Sequence, residues 1–244
     1  MKIVCFGDSL TRGVSFVKGR LRILKANYPT ILQELYKNNN HDGSETDVEV
    51  LNKGVFNDNS DLLLNRLDKD VMKENPEFVI IGIGGNDCNF QWEEVSKNPN
   101  DTFDPIVPLE RYIQNVKSII VHIKKEGITP ILLTLPPLDP VRYYENISKT
   151  FTSHISNWIC KVGGIEHWHG KYNRSVNKIA EELHVMKIDV RTAIKQAGEL
   201  VDLISDDGIH LTEMGYKVLG TEIYRHMVAL IEGNKSNVDK LVST

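Results

Sequence analysis

Five short runs of this chain, residues 3–6, 48–51, 78–83, 128–135 and 185–190, are mostly apolar and rich in β-branched side chains. They run apolar rather than alternating with polar residues, which predicts strands buried on both faces. The intervals between them carry the helical period instead. Ile31, Leu32, Leu35 and Tyr36 form one face behind Pro29, whose missing N–H costs nothing in a first turn. Residues 109–125 repeat the pattern with Ile113, Val116, Ile120 and Ile123, and Gly127 follows as a stop. A last helix is predicted over 212–231, with Met214, Val218, Leu219, Ile223 and Met227 inward and Gly233 at its end. Strands that alternate with helices are the signature of a parallel sheet in an α/β fold, here with five strands and about five helices.

Two connections, 88–107 and 136–172, exceed the usual link between strand and helix, and long links in a compact domain tend to carry function. Within the second, Ile155, Trp158 and Ile159 are spaced as on a helix. No repeat, low-complexity segment or linker divides the chain, so residues 1–233 are expected to form one domain and 234–244 a frayed tail. With 29 Lys+Arg against 33 Asp+Glu the net charge is −4, which gives no reason to expect nucleic acid or a membrane surface as partner. The three cysteines, Cys5, Cys88 and Cys160, are an odd number at unrelated spacings, which argues against a disulfide framework and a zinc cluster and for a reducing compartment. The apolar residues between Lys2 and Asp8 are too few for a signal-peptide core, and no later run reaches membrane-spanning length. A cytoplasmic location without an integral membrane segment is therefore expected.

Ligands of parallel α/β sheets bind where the strands end, because the loops converge there and helix N-termini aim their N–H groups at the site. After the first strand comes Gly7-Asp8-Ser9-Leu10, after the second Asn52-Lys53-Gly54, and after the third Gly84-Gly85-Asn86-Asp87. After the fifth strand and a connecting segment, Asp207-Gly208-Ile209-His210 precedes the last helix. These are the groups that acyl transfer needs. A serine hydroxyl attacks only when a base takes its proton, an imidazole titrates close enough to neutrality to do so, and a carboxylate fixes the imidazole's tautomer. Ser9, His210 and Asp207 are the candidates, and a short turn can fold Asp207 onto a histidine three positions later. The Ser9 and Gly54 backbone N–H groups and the Asn86 carboxamide are the candidate oxyanion donors. Singly, each motif reads equally well as a turn, a turn glycine or a helix cap; their common order at strand exits is what joins them.

With these four blocks the chain resembles the SGNH or GDSL hydrolases, whose G-D-S-L serine, glycine after the second strand, G-x-N-D asparagine and D-x-x-H pair look like Ser9, Gly54, Asn86 and Asp207/His210. The resemblance extends to "SLTRG" and "YPTILQEL" and spans residue 3 to about 220. It implies a flavodoxin-like α/β/α sandwich with five parallel strands in order 2-1-3-4-5. It also implies hydrolysis of esters or thioesters without metal or organic cofactor. Members often carry a second glycine three residues beyond Gly54, where this chain has Asn57, a residue that tolerates left-handed backbone.

A serine esterase acting on a small or lipid-like acyl substrate through an acyl-enzyme is therefore expected. Thioesters, lysophospholipids and acetylated sugars remain open as substrates, and so does a non-catalytic flavodoxin-like module that binds a nucleotide or flavin. Phe56, Phe90, Trp92, Tyr143, Tyr144 and Trp158 are candidates for the substrate pocket. His167-Trp168-His169 offers no third metal ligand and reads as a loop with surface histidines. Cys88 has no basic neighbour to make it a thiolate, and Asp87 reads as a brace for the turn after the third strand. Residues 10–33 hold Arg12, Lys18, Arg20, Arg22 and Lys25 and no acid, which reads as a solvated loop that could favour substrates with a negatively charged portion.

Overall fold

A computed structural model describes residues 1–39, 48–151 and 154–242, with the side chains of 234–242 left undescribed. Seven strands follow in chain order: β1 (Lys2–Gly7), β2 (Val14–Val17), β3 (Arg20–Ile23), β4 (Glu49–Gly54), β5 (Phe78–Gly82), β6 (Thr129–Leu133) and β7 (Met186–Ile188). Five of them form a parallel sheet in the order β4-β1-β5-β6-β7. Without the β2–β3 hairpin this is the expected order 2-1-3-4-5. Both faces of the sheet are dry, as unalternating strands require. Val4, Phe6, Val79, Ile81 and Leu132 pack on one side with the Leu109–Lys125 and Ile165–Glu182 helices. Ile3, Cys5, Ile80, Ile131 and Leu133 pack on the other with the Tyr28–Asn39, Val190–Ala197 and Glu213–Val242 helices.

β1, β4 and β5 end level with one another, Gly7 opposite both Gly54 and Gly82. The absent side chains let the one-turn helix Ser9–Arg12 settle onto this edge. A Cβ on Gly54 would stand 2.2 Å from the Arg12 nitrogen, and one on Gly7 would stand 2.3 Å from the Gly82 oxygen. Asp8 caps the turn by accepting from Leu10 N–H at 2.9 Å, so Ser9 leaves the sheet in a fixed direction.

Several elements differ from the sequence expectation. Residues 14–23 are an antiparallel hairpin rather than a loop, turning through Lys18 and Gly19, both at positive φ, as two-residue hairpin turns demand. Both long connections contain helix, with Trp92–Lys97 in the first and Pro140–Ser148, Ile155–Lys161 and the start of Ile165–Glu182 in the second. The last helix continues through Gly233 to Val242, and the final two residues of the expected tail lie outside the described residues. Met214, expected inward, is 58 % exposed at the start of that helix, while Leu219, Ile223 and Met227 are buried. Among the described residues no helix is long and apolar enough to cross a membrane.

Candidate active site

The turn before the last helix brings Asp207 and His210 together. Gly208 takes a φ of +76° and fits where a Cβ would meet the Tyr143 nitrogen at 2.2 Å, while its carbonyl accepts from Asp139 N–H at 3.0 Å. The Pro140–Ser148 helix therefore clamps the turn from outside. Asp207 Oδ1 accepts from Ile209 N–H and His210 N–H, each at 3.0 Å, which leaves Oδ2 for the His210 ring. His210 Nδ1 donates to it at 2.6 Å, and Nε2 on the far side of the ring lies 2.9 Å from Ser9 Oγ. With the proton on Nδ1, Nε2 can only accept, so the Ser9 hydroxyl donates. All three side chains are buried. Burial pushes the Asp207 carboxyl up, but the bond to His210, its charge and the two backbone N–H groups together hold it below the usual carboxylate range.

Ser205, which sequence reasoning passed over, supports this turn. Its hydroxyl proton sits between Asp207 Oδ1 at 3.0 Å and the His210 carbonyl at 2.9 Å, and its oxygen accepts from Phe16 N–H at 3.2 Å. The hairpin is thus tied to the acid–imidazole pair. Asp8 lies close by. Burial raises its carboxyl to about 7 against the Leu10 N–H and His210, with Asp87 and Asp58 adding to the rise.

Of the three candidate oxyanion donors, two keep an unengaged N–H among the described residues. Ser9 N–H has no partner among the described residues. Asn86 Nδ2 spends one hydrogen on the Asp58 carbonyl at 2.7 Å and keeps the other. The third, Gly54 N–H, is engaged: it donates to Asn52 Oδ1 at 2.9 Å, and the residue is buried against the Thr11–Arg12 backbone. What Gly54 supplies is a missing side chain. Three residues on, Asn57 has φ +63° in a turn closed by Asp58 N–H on the Val55 carbonyl at 3.3 Å, the position of a tight turn that requires positive φ. Its own N–H is unengaged among the described residues, and Arg66 fixes this turn by bonding both Asp58 and the Gly7 carbonyl.

Beside Ser9 opens a cavity of about 100 Å³, walled by Phe90, Trp92, Leu135, Tyr143, Trp168 and Ile209 among others. Asn89 braces the aromatic side, its Oδ1 accepting from Phe90 N–H at 2.9 Å, Trp92 Nε1–H at 2.8 Å and Tyr143 O–H at 2.8 Å. Of the predicted pocket residues, Phe90, Trp92 and Tyr143 line the cavity. Phe56 does not; it is 45 % exposed on the turn outside. Trp158 and Tyr144 stand behind the wall, Trp158 edge-on to Phe90 at 5.6 Å. None of Arg12, Lys18, Arg20, Arg22 and Lys25 lines the cavity.

His167 and His169 are on the Ile165–Glu182 helix, not in a loop, and His169 is buried against the cavity. The signal was present: Ile165, His169, Tyr172, Val176 and Ile179 share one helical stripe. Cys88 is buried, and its thiol is pushed up out of the reactive range by burial, then by the Asp87 charge. Asp87 Oδ1 accepts from Ser60 N–H at 2.9 Å. Among the described residues no cluster of three or more His, Cys, Asp or Glu could hold a metal ion.

Residues 5–218 match the model of the GDSL-like Lipase/Acylhydrolase family. The chain is 27% identical over 231 residues, 92% of its length and 77% of the relative's, to "GDSL esterase/lipase CPRD49" of Arabidopsis thaliana. It is 27% identical over 204 residues, 80% of its length and 73% of the relative's, to "Isoamyl acetate-hydrolyzing esterase 1 homolog" of Homo sapiens. Among solved structures, a lipase/acylhydrolase from Enterococcus faecalis superposes with a TM-score of 0.67 at 21% identity over 93% of this chain and 94% of that one.

Proposed function

The chain belongs to the GDSL-like lipase/acylhydrolase family and is an ester-hydrolysing serine hydrolase, and from that premise we propose that Ser9 is its nucleophile, His210 its general base and Asp207 the residue that orients and charges the imidazole. One observation carries this reading: the unbroken hydrogen-bond line from Asp207 Oδ2 through both nitrogens of His210 to Ser9 Oγ. As Ser9 Oγ bonds to the ester carbonyl carbon, its proton passes to His210 Nε2, and the imidazolium is stabilised by the ionised Asp207. The carbonyl electrons move onto oxygen, for which Ser9 N–H, the second Asn86 Nδ2 hydrogen and Asn57 N–H are the unengaged donors. Collapse expels the alkoxide, which takes the proton from His210, and leaves an acyl-Ser9. Water, deprotonated by the same imidazole, then releases the acid.

The cavity volume bears on substrate size. A dry cavity of about 150 Å³ accepts benzene, so about 100 Å³ suits an acyl or alcohol group of about four carbons. The name of the isoamyl acetate-hydrolysing relative points the same way. Thioesters of such acids would use the same machinery. Free cysteines at positions 5, 88 and 160 support a cytoplasmic setting.

Ser9→Ala and His210→Ala are expected to lower kcat on p-nitrophenyl butyrate at least about a thousandfold, with unchanged circular dichroism and melting. A mass shift of one butyryl group on wild-type Ser9 after rapid acid quench would report the acyl-enzyme. A Ser9→Ala variant that keeps the wild-type rate would overturn the assignment.

A further inference from the structure

Most polar groups of the cavity wall away from Ser9 are already spent within the protein. Trp168 Nε1–H donates to the Cys88 carbonyl at 2.8 Å, Thr134 Oγ1–H to Asp189 at 3.1 Å, and Trp92 and Tyr143 to Asn89. His169 differs. Its Nδ1 lies 3.2 Å from Arg191 Nη1, and a guanidinium can only donate, so Nδ1 is bare and the ring proton is on Nε2. Arg191 is itself held by the carbonyls of Leu135 at 3.4 Å and Pro136 at 3.3 Å, and by Glu166 on the His169 helix. Only 4 % of His169 is exposed, and Nε2 has no hydrogen-bond partner among the described residues. Burial, then the charges of Arg191 and Lys195, push the imidazole down to about 3, so the ring stays neutral at working pH and keeps this donor.

We infer that His169 is a specificity-determining residue whose Nε2–H receives an acceptor oxygen on the group that enters the cavity, so that the preferred esters carry an ether, hydroxyl or carbonyl oxygen in their acyl or alcohol part. The inference rests on the reading that Ser9 opens esters in this cavity. A hydrocarbon group in that place leaves a buried N–H without a partner, whereas an oxygen at the same position satisfies it, and sites built around a buried donor discriminate strongly on that ground. The contact is made to a part of the ester that does not react and holds substrate and transition state alike, so it belongs in KM rather than kcat.

Two matched pairs test it, each replacing one methylene by oxygen: p-nitrophenyl pentanoate against 3-methoxypropanoate, and butyl acetate against 2-methoxyethyl acetate. The first places the oxygen on the acyl side, the second on the alcohol side. Wild type is expected to favour the ether of one pair by about tenfold in kcat/KM, mainly through KM. His169→Leu abolishes that ratio, and His169→Gln, which keeps an N–H near the Nε2 position, restores part of it. Because intrinsic reactivity is common to all variants, the change in ratio is the readout. Thermal melts confirm that each variant is folded, and should His169→Leu not fold, His169→Met replaces it. An ether-to-hydrocarbon ratio unchanged by these substitutions, or no ether preference in either pair, would overturn the inference. Pentanoate hydrolysis that survives Ser9→Ala would instead overturn the site reading beneath it.

Discussion

Replacing His169 by Gln changes how stability depends on pH. In the folded chain the His169 ring is pushed down to about 3, by burial first and then by Arg191 and Lys195, while in the unfolded chain it titrates near 6.5. Between these values the unfolded state binds a proton that the folded state refuses. The contribution is therefore complete above about pH 6.5 and is lost as pH falls. Each pH unit below that point costs about 1.4 kcal/mol, so at pH 5 the wild type gives up about 2 kcal/mol relative to pH 7.5. For a chain of this size that is about 4–8 °C in melting temperature. Glutamine does not titrate, so the variant lacks this component. Other groups contribute to the total: burial raises Asp8 to about 7 and Asp87 to about 6, so both lose stability as pH rises, the opposite direction. Glu166, which faces Arg191 and Lys195, is held below its usual value by its bond to Lys195 and titrates below this window. These terms are shared by both proteins and cancel in the difference. Guanidinium unfolding of wild type and His169→Gln at pH 7.5 and 5.0 gives the four free energies required. If the two proteins lose the same stability on acidification, the His169 ring is not held neutral against Arg191, and the fixed Nε2–H donor goes with it.

Asn57→Gly should keep the turn and its N–H, so activity on p-nitrophenyl butyrate holds, and the relief of left-handed backbone is offset by the extra unfolded-state freedom of glycine, which leaves stability within about 0.5 kcal/mol of wild type in guanidinium unfolding. Gly54→Ala forces a Cβ to 2.2 Å from the Arg12 nitrogen and should destabilise by at least about 1–3 kcal/mol in guanidinium unfolding; a neutral result would refute the packing role assigned to Gly54. Ser205→Ala strips Asp207 of one partner and Phe16 N–H of its acceptor, so it should cost about 1–3 kcal/mol in stability while lowering kcat far less than Ser9→Ala does.

The five sheet strands were legible because both faces are buried, and burial on two sides writes an unbroken apolar run. The hairpin was missed for the converse reason. Arg20–Ile23 is exposed throughout, so it carries charge where a core strand cannot. Its signal was the Lys18-Gly19 dipeptide between two four-residue runs, a turn chemistry rather than a hydrophobic one. His169 was misread because a histidine beside Trp168 and His167 looks polar in isolation, and only the stripe from Ile165 to Ile179 places it inward.

The glycine after β4 exposes a deeper limit of reading residues by type. A glycine answers two needs that look the same in a sequence: an N–H brought close to a ligand, or space for another backbone to come close. Gly54 meets the second, since its N–H is bonded to Asn52 and its missing Cβ admits Arg12. The left-handed turn with an unengaged N–H falls three residues later, on Asn57. The two positions have separate supports: only a glycine at 54 lets the Ser9 helix seat on the sheet edge, while the turn three residues on is fixed through Arg66 and Asn86. Spacing could supply both candidates, but the choice between them depends on where each N–H goes.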